Sequence, residues 1–210
     1  MRLRRSAFVP MIYCLVCLPL ASLCVAADAG CDAALLVIDV QKAFVSGVAW
    51  DTTAGEDIVD AVVEILSLAR ADDVPVIYVK DRSVLMFETV TESLLEFPDE
   101  IAPLADDPVF TKRSMSIFME KAFLDYIAAQ GIERLILCGI ASEGCFAAAL
   151  SGAVSKGLEV TVVADGHSNG PPDPTMDRRT AAEFNDEWSE RGIAVIPTDD
   201  IDWASFACSP

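Results

Sequence analysis

Short runs of apolar residues alternate with amphipathic segments along most of this chain. The apolar runs AALLVIDV, PVIYVK, PVF, RLILCG, EVTVVADG and IAVIPT predict six strands, at residues 33–40, 75–80, 108–110, 134–139, 159–166 and 193–198. Helical periodicity and helix-stop signals predict helices at residues 53–69, 115–130, 145–156 and 176–191. The first helix opens with the capping box Thr53-Ala-Gly-Glu56. Periodicity does not resolve residues 81–107.

The alternation of strands and helices predicts the fold class. Strands that are apolar throughout and separated by helices are typical of a parallel sheet that is covered on both faces. Right-handed crossovers then give a three-layer, doubly wound α/β domain with a mostly parallel six-stranded sheet. Sites in such sheets lie beyond the carboxyl ends of the strands. We therefore expect Asp39, the loop after Phe110 and the turn from Gly139 to Cys145 to meet there.

The first 27 residues follow a different pattern from the rest of the chain. A basic MRLRR precedes an apolar stretch that ends in Val25-Ala26-Ala27, small residues of the kind a signal peptidase recognises. Residues 1–27 are therefore predicted to be a secretory signal peptide, cleaved near Ala27, and residues 28–210 a single domain. A retained membrane anchor is the alternative. The expected location is secreted or periplasmic.

The charge balance excludes some classes of partner. Cleavage would remove three of the 15 basic residues and none of the 33 acidic ones, leaving a net charge of −21 on the mature chain. Nucleic acids and anionic membrane surfaces need clustered Lys and Arg, so neither is expected as a partner after signal removal.

The cysteines and the histidine limit the candidate chemistry. Of seven cysteines, four lie beyond the signal, and Cys138 and Cys145 fall in a predicted strand and a predicted helix. This leaves the hypothesis of a disulfide between Cys31 and Cys208, near the two ends of the mature chain. No cysteine pair has zinc-finger spacing. His167 is the single histidine, and a surface or capping role is expected for it.

Cys145 lies where a strand gives way to a helix, in LILCGIASEGCFAAAL. Unpaired N–H groups and the helix dipole at such a position favour a thiolate, so we expect a lowered thiol pKa. The same N–H groups suit an oxyanion hole. A buried structural cysteine is the alternative. Asp39, at the end of an apolar strand, is the candidate base. Apolar surroundings should raise its pKa, and a nearby cation, for which Lys112 is the candidate, should lower it again.

Three motifs in order resemble one family, the isochorismatase-like cysteine hydrolases. IDVQKAF resembles the family's D-x-Q-x-x-F, VFTKRSMSIF contains its K-x-x-x-S-x-F, and GIASEGC is similar to its G-[hydrophobic]-[AT]-[ST]-[DE]-x-C. The resemblance implies a catalytic triad in which Asp39 is the general base, Cys145 the nucleophile and Lys112 the stabilising cation. It also implies an oxyanion hole formed by the backbone N–H groups of Ala141 and Cys145, and a cis peptide bond between Ile140 and Ala141.

The resemblance further implies a hydrolase of a small amide or ureido-type C–N bond, acting through a thioester and releasing ammonia. The expected substrate-binding residues belong to the same motifs and are Gln41, Phe44, Phe118 and Ile140. Nicotinamidases of this fold hold a metal with an Asp-x-His arrangement, but no histidine precedes His167 here, so neither metal nor cofactor is expected. The family also implies a homo-oligomer. A catalytically silent ligand-binding module and a thiol redox sensor remain as alternatives.

Overall fold

The computed structural model describes residues 31–48, 55–170 and 179–208, without the side chains of residues 55 and 56. Six parallel strands form one sheet in the order β3-β2-β1-β4-β5-β6. The strands are β1 (Ala33–Ile38), β2 (Val76–Asp81), β3 (Val109–Lys112), β4 (Arg134–Ile140), β5 (Glu159–Ser168) and β6 (Ala194–Ile196). The predicted α/β fold class is confirmed, and the sheet is entirely parallel.

Helices cover both faces of this sheet. They are α1 (Lys42–Val45), α2 (Gly55–Ala71), α3 (Lys121–Gln130), α4 (Ala147–Ser155) and α5 (Ala181–Glu190). In β1, Leu35 and Val37 pack into a core with α2, whereas Leu36 faces a second core with α3, α4 and α5. Side chains of a strand alternate between the two faces, so a strand buried on both sides is apolar throughout, as β1 is.

The predicted helix over residues 115–130 is divided in two. A 3-10 turn spans Ile117–Met119, and α3 begins at Lys121. The Ser116 hydroxyl donates to the Ala148 carbonyl at 3.0 Å and accepts from the Phe118 N–H at 3.2 Å. These bonds to a distant helix outweigh local helical periodicity, so the chain turns before α3.

Two other parts of the sequence analysis concern residues 81–107 and the predicted capping box. The segment that periodicity left open, residues 81–107, forms three 3-10 turns, Ser83–Met86, Glu92–Leu95 and Asp99–Ile101. Thr53 of the predicted capping box lies outside the described residues, as do the signal peptide and residues 176–178 of the predicted last helix. Helix α5 has its own capping box, between Thr180 and Glu183.

The two ends of the described chain are joined covalently. Cys31 and Cys208 form a disulfide across 177 residues of sequence, as predicted, and Cys138 and Cys145 are free thiols. No helix in the described ranges has both the length and the apolar character needed to cross a bilayer.

Candidate active site

Asp39 follows β1 in an unusual backbone conformation. Its φ is 55°, in the left-handed region that non-glycine residues seldom adopt, and its N–H donates to the Val79 carbonyl at 3.1 Å. Gly139 of the adjacent strand makes room for this turn. A Cβ added to Gly139 would lie 2.1 Å from the Ile38 carbonyl oxygen, so only glycine fits beside the end of β1.

Lys112, at the end of β3, lies at the centre of the site and is fully buried. Its Nζ lies 2.8 Å from Asp39 Oδ2, 2.7 Å from Asp81 Oδ2 and 3.1 Å from Cys145 Sγ. A buried ammonium needs such partners because removing its charge from water costs on the order of several kcal/mol. The three residues of the predicted triad are therefore in one cluster.

Cys145 lies in a turn between β4 and α4. The cis peptide bond predicted between Ile140 and Ala141 is present. Residues 142–146 then form a wide π-type turn, interrupted at Gly144 (φ −124°, ψ −116°), before α4 starts at Ala147. The Gly144 N–H donates to the Ala141 carbonyl at 2.8 Å, which closes the turn and presents Cys145 at its end.

Burial and neighbouring charges set the pKa of each ionisable group. Burial raises the pKa of Asp39 to about 6, although the Lys112 ammonium lowers it, so the predicted directions are confirmed. Burial opposes the charge on Lys112, but Asp39, Cys145 and Asp81 outweigh it, and the lysine pKa lies above its usual value. Lys112 is therefore charged throughout the physiological range.

The prediction of a lowered thiol pKa is wrong. Burial and then the negative charge of Asp39 raise the pKa of Cys145 to about 12, and Lys112 offsets only part of this. The resting pair at neutral pH is thus a neutral thiol beside an ionised carboxylate. Loss of the proton from sulfur becomes less costly when the same proton neutralises Asp39, since that removes the opposing charge.

Asp81 is the member of the cluster that sequence reasoning missed. It is the last residue of β2, a position similar to that of Asp39, which directly follows β1. Its side chain is buried, and the residue is 5% exposed. Its Oδ1 accepts from the Ser83 N–H at 2.7 Å, and its Oδ2 lies 3.8 Å from the Cys145 thiol. The available signal was its position as an acid directly after an apolar strand of the same sheet.

The three acidic or sulfur ligand atoms of this cluster could in principle hold a metal ion. One atom from each of Asp39, Asp81 and Cys145 lies within 4.8 Å of the others. The Lys112 Nζ, however, contacts all three groups. A cation is thus already supplied by the chain, and the absence of a metal stays a prediction.

A cavity of about 260 Å³ opens beside the thiol. Its wall includes Cys145, Ala141 and Gly144 from the turn, together with Asp39 and Asp81. The apolar part of its wall comprises Phe44, Val84, Met86, Phe87, Met115 and Ile140. A nucleophile, a carboxylate and a turn of backbone N–H groups therefore face a space the size of a small organic molecule.

Comparison with known proteins places this geometry in a family. The family model described as the isochorismatase domain matches residues 33–182, which include all three motifs and the whole cluster. The chain belongs to the isochorismatase family.

Two curated proteins are similar to part of this chain. Streptothricin hydrolase of Streptomyces noursei is 30% identical over 137 residues, covering 64% of this chain and 54% of the relative, so the match spans about half that protein's length. Maleamate amidohydrolase of Pseudomonas putida is 26% identical over 98 residues, 47% of this chain and 46% of the relative.

Two solved structures share the fold. A cysteine hydrolase from Pseudomonas syringae pv. phaseolicola matches with a TM-score of 0.71 at 20% identity, covering 80% of this chain and 89% of that one. N-carbamoylsarcosine amidase from Thermoplasma acidophilum matches with a TM-score of 0.68 at 23% identity, covering 81% and 99%. The doubly wound architecture is thus that of isochorismatase-like proteins.

In this member of the isochorismatase family, the expected substrate-binding residues fall into two groups. Phe44 and Ile140 line the cavity. Gln41 and Phe118 lie outside its lining. The Gln41 side chain instead accepts from the Asp81 N–H at 2.6 Å and donates to the Leu95 carbonyl at 3.0 Å, which fixes the end of β2. Phe118 packs in the core, in the space left by Gly152.

His167 is buried within β5, contrary to the expectation of a surface or capping role. Its Nδ1 lies 2.8 Å from the Ser142 hydroxyl, and its Nε2 lies 2.7 Å from Asn185 Oδ1. Burial lowers its pKa, and its ring stacks on Phe146. His167 therefore supports the turn that carries Cys145 from behind.

Proposed function

We propose that this hydrolase cleaves a small amide or ureido-type C–N bond through a thioester on Cys145 and releases ammonia. The observation that carries the proposal is the position of Lys112. One buried ammonium contacts the thiol and two carboxylates, and the thiol and both acids line the same cavity. This arrangement supplies a nucleophile, a base and a fixed cation at one point.

In the first half-reaction, the Cys145 thiol gives its proton to Asp39, and sulfur attacks the substrate carbonyl carbon. The carbonyl π electrons move to oxygen, and the N–H groups of Ala141 and Cys145 are proposed to bind that oxyanion. When the C–N bond breaks, the departing nitrogen takes the proton from Asp39 and leaves as ammonia. The product on the enzyme is a Cys145 thioester.

In the second half-reaction, water occupies the site vacated by ammonia. Asp39 accepts a proton from this water as its oxygen attacks the thioester carbon. The C–S bond then breaks, the carboxylic acid leaves, and sulfur recovers the proton from Asp39. Lys112 stays protonated throughout, as its raised pKa requires, and stabilises the negative charge that passes between Asp39 and sulfur.

Asp39 suits the role of base better than Asp81. Neither oxygen of Asp39 has a hydrogen bond of regular geometry within the described residues, although Oδ2 is ion-paired with Lys112. Both oxygens of Asp81 already accept hydrogen bonds: Oδ1 from the Ser83 N–H, and Oδ2 from Lys112 and, at 3.8 Å, from the Cys145 thiol. A carboxylate with a free lone pair and a pKa of about 6 can accept a proton near neutral pH, and Asp81 then serves as the second anchor for Lys112.

Ammonia release from a panel of small primary amides and ureido compounds tests the proposal. We expect turnover by the wild-type protein and loss of at least about a thousandfold in Cys145→Ala, because covalent catalysis needs the thiol. Cys138→Ala is the matched control, since it removes the other free thiol of the described residues, which is buried in β4. Undiminished turnover by Cys145→Ala would refute the mechanism.

We also propose that the enzyme acts outside the cytoplasm. The Cys31–Cys208 disulfide supports this, because structural disulfides persist in oxidising compartments. A fusion of residues 1–27 to a reporter that is active only after export tests the signal directly. A fusion that stays in the cytoplasm and remains inactive would contradict the proposal.

A further inference from the structure

Charge is distributed unevenly around the cavity. Among the described residues that line it, three are acidic, Asp39, Asp81 and Glu143, and none is Lys, Arg or His. Lys112 lies behind this wall and is already shared by Asp39 and Asp81. Two carboxylates against one ammonium leave a formal charge of −1 in the buried cluster before Glu143 is counted.

Glu143 adds a second feature that points to a ligand. It lies two residues before the nucleophile, in the same turn, and its Oε1 accepts from the Gly170 N–H at 2.9 Å. That bond fixes the carboxylate at the cavity wall. Its Oε2 is shielded from solvent and has no hydrogen-bond partner in the described part of the chain. The Asp39 Oδ1 in the same wall is also buried without a partner.

A buried carboxylate oxygen without a donor is costly, and a cation with N–H groups is the group that best offsets this cost. An anionic substrate would enter a pocket of its own charge sign and would leave Glu143 without a donor. A neutral aliphatic amide would meet the apolar wall well, but its N–H groups belong to the scissile amide beside Cys145, so its aliphatic end would offer no donor to Glu143. The remaining apolar surface, with Phe87 and Met115 partly exposed at the mouth, suits an aliphatic body.

We propose that this pocket selects amides that carry a positive charge on an aliphatic body, with Glu143 as the residue that binds the cation. This proposal rests on the proposed amidase function, and it specifies the substrate class. Glu143 acts as a specificity residue, because it can contact the substrate away from the scissile bond while Asp39 and Cys145 carry out the chemistry.

Three amides of matched length test this selection: 5-aminopentanamide, hexanamide and glutaramate, which are cationic, neutral and anionic. We expect kcat/KM of the wild-type protein to fall in that order, with a preference of about tenfold or more for the cationic amide over the neutral one. In Glu143→Gln, the ratio between these two amides should drop by about tenfold. Gln retains an oxygen acceptor for the Gly170 N–H, so the turn keeps its bond.

Glu88→Gln is the matched control, because it removes the same charge from an exposed residue that does not line the cavity. It should leave the ratio as in the wild type. Equal or faster turnover of glutaramate, or an unchanged ratio in Glu143→Gln, would overturn the selection while leaving the amidase function intact.

If the wild-type protein turns over none of the three amides, calorimetric binding to Cys145→Ala decides the selection separately. Tightest binding of 5-aminopentanamide would support the charge preference even though the amidase function had failed. Tightest binding of glutaramate, or no difference among the three, including no binding at all, would overturn it.

Discussion

At the scale of single residues, the site depends on one proton that two groups can hold. Asp39 has a pKa of about 6 and Cys145 one of about 12, so the proton rests on sulfur at neutral pH. The two values are coupled, because each negative charge opposes the other across the cluster. Lys112 favours ionisation of both and keeps the transferred charge close to it.

This coupling predicts how the thiol reacts with iodoacetamide. Asp39→Asn removes the charge that opposes the thiolate, so alkylation of Cys145 at pH 8 should be at least about threefold faster than in the wild type. Lys112→Met should slow it, because the ammonium lowers the thiol pKa. Mass spectrometry of labelled peptides gives both rates. Slower alkylation of Asp39→Asn would contradict this prediction, because it would show that the Asp39 carboxylate promotes formation of the thiolate more than its charge opposes it.

The same carboxylate predicts a pH-dependent cost to stability. The pKa of Asp39 is raised above its value of 3.8 in an unfolded chain, so the folded state binds the carboxyl proton more tightly than the unfolded state does. The resulting stabilisation is complete below about pH 4 and is lost as the pH rises through about 6. At pH 7.5 the ionised carboxylate costs about 3 kcal/mol, an order-of-magnitude figure from the shift.

Asp39→Asn should therefore increase the free energy of unfolding by about 1–3 kcal/mol at pH 7.5, and by much less at pH 4, while activity is lost. Urea unfolding at the two pH values measures this. Asp81→Asn is the control, since it removes a charge from the same cluster. If Asp39→Asn changes the free energy of unfolding by the same amount at both pH values, the account is contradicted.

At the scale of elements, the site depends on the close approach of β4 to the end of β1. Gly139 has a φ of +122° and no space for a Cβ, which would lie 2.1 Å from the Ile38 carbonyl oxygen. The contact places the turn that carries Cys145 directly beside Asp39. The geometry of the proposed catalytic pair, Asp39 and Cys145, is thus set by backbone packing between neighbouring strands.

Gly139→Ala should lower the free energy of unfolding by about 3 kcal/mol or more, because both φ and the backbone clash oppose a side chain. Thermal unfolding measures the loss. Gly131→Ala is the control, since Gly131 also has a positive φ but no atom lies within 4 Å of an added Cβ. It should cost less than Gly139→Ala, and equal losses would show that the approach of the strands is not the cause.

The elements also show what sequence could predict. The inner strands are predictable because burial on both faces makes them largely apolar. Asp39, Lys112 and Cys145 are predictable because their motifs lie at strand or helix ends. Asp81 and Glu143 were not assigned roles, since their importance arises from a shared lysine and an unpaired oxygen. The turn before α3 depends on Ser116 bonding to α4, a contact that local periodicity does not encode.

At the scale of the whole molecule, a disulfide joins the residues just before β1 to the last described residues of the chain. Cys31 precedes β1 by two residues, and Cys208 follows the last 3-10 turn, Trp203–Phe206. Loss of a crosslink that closes so long a loop increases the entropy of the unfolded chain. A homo-oligomer remains a prediction at this scale.

The double variant Cys31→Ser/Cys208→Ser should therefore have a free energy of unfolding lower by about 2–5 kcal/mol. Guanidinium unfolding measures the loss, and a reducing agent should destabilise the wild type to the same level without affecting the variant. Identical midpoints with and without the disulfide would contradict a stabilising role.

The central claim, a covalent thioester on Cys145, is tested most directly by intact mass spectrometry of acid-quenched reactions with a turned-over amide. The account predicts a transient adduct equal to the substrate mass minus ammonia, located on Cys145 by peptide mapping and absent from Cys145→Ala. Turnover with no adduct at any quench time, together with full activity of Cys145→Ala, would contradict it.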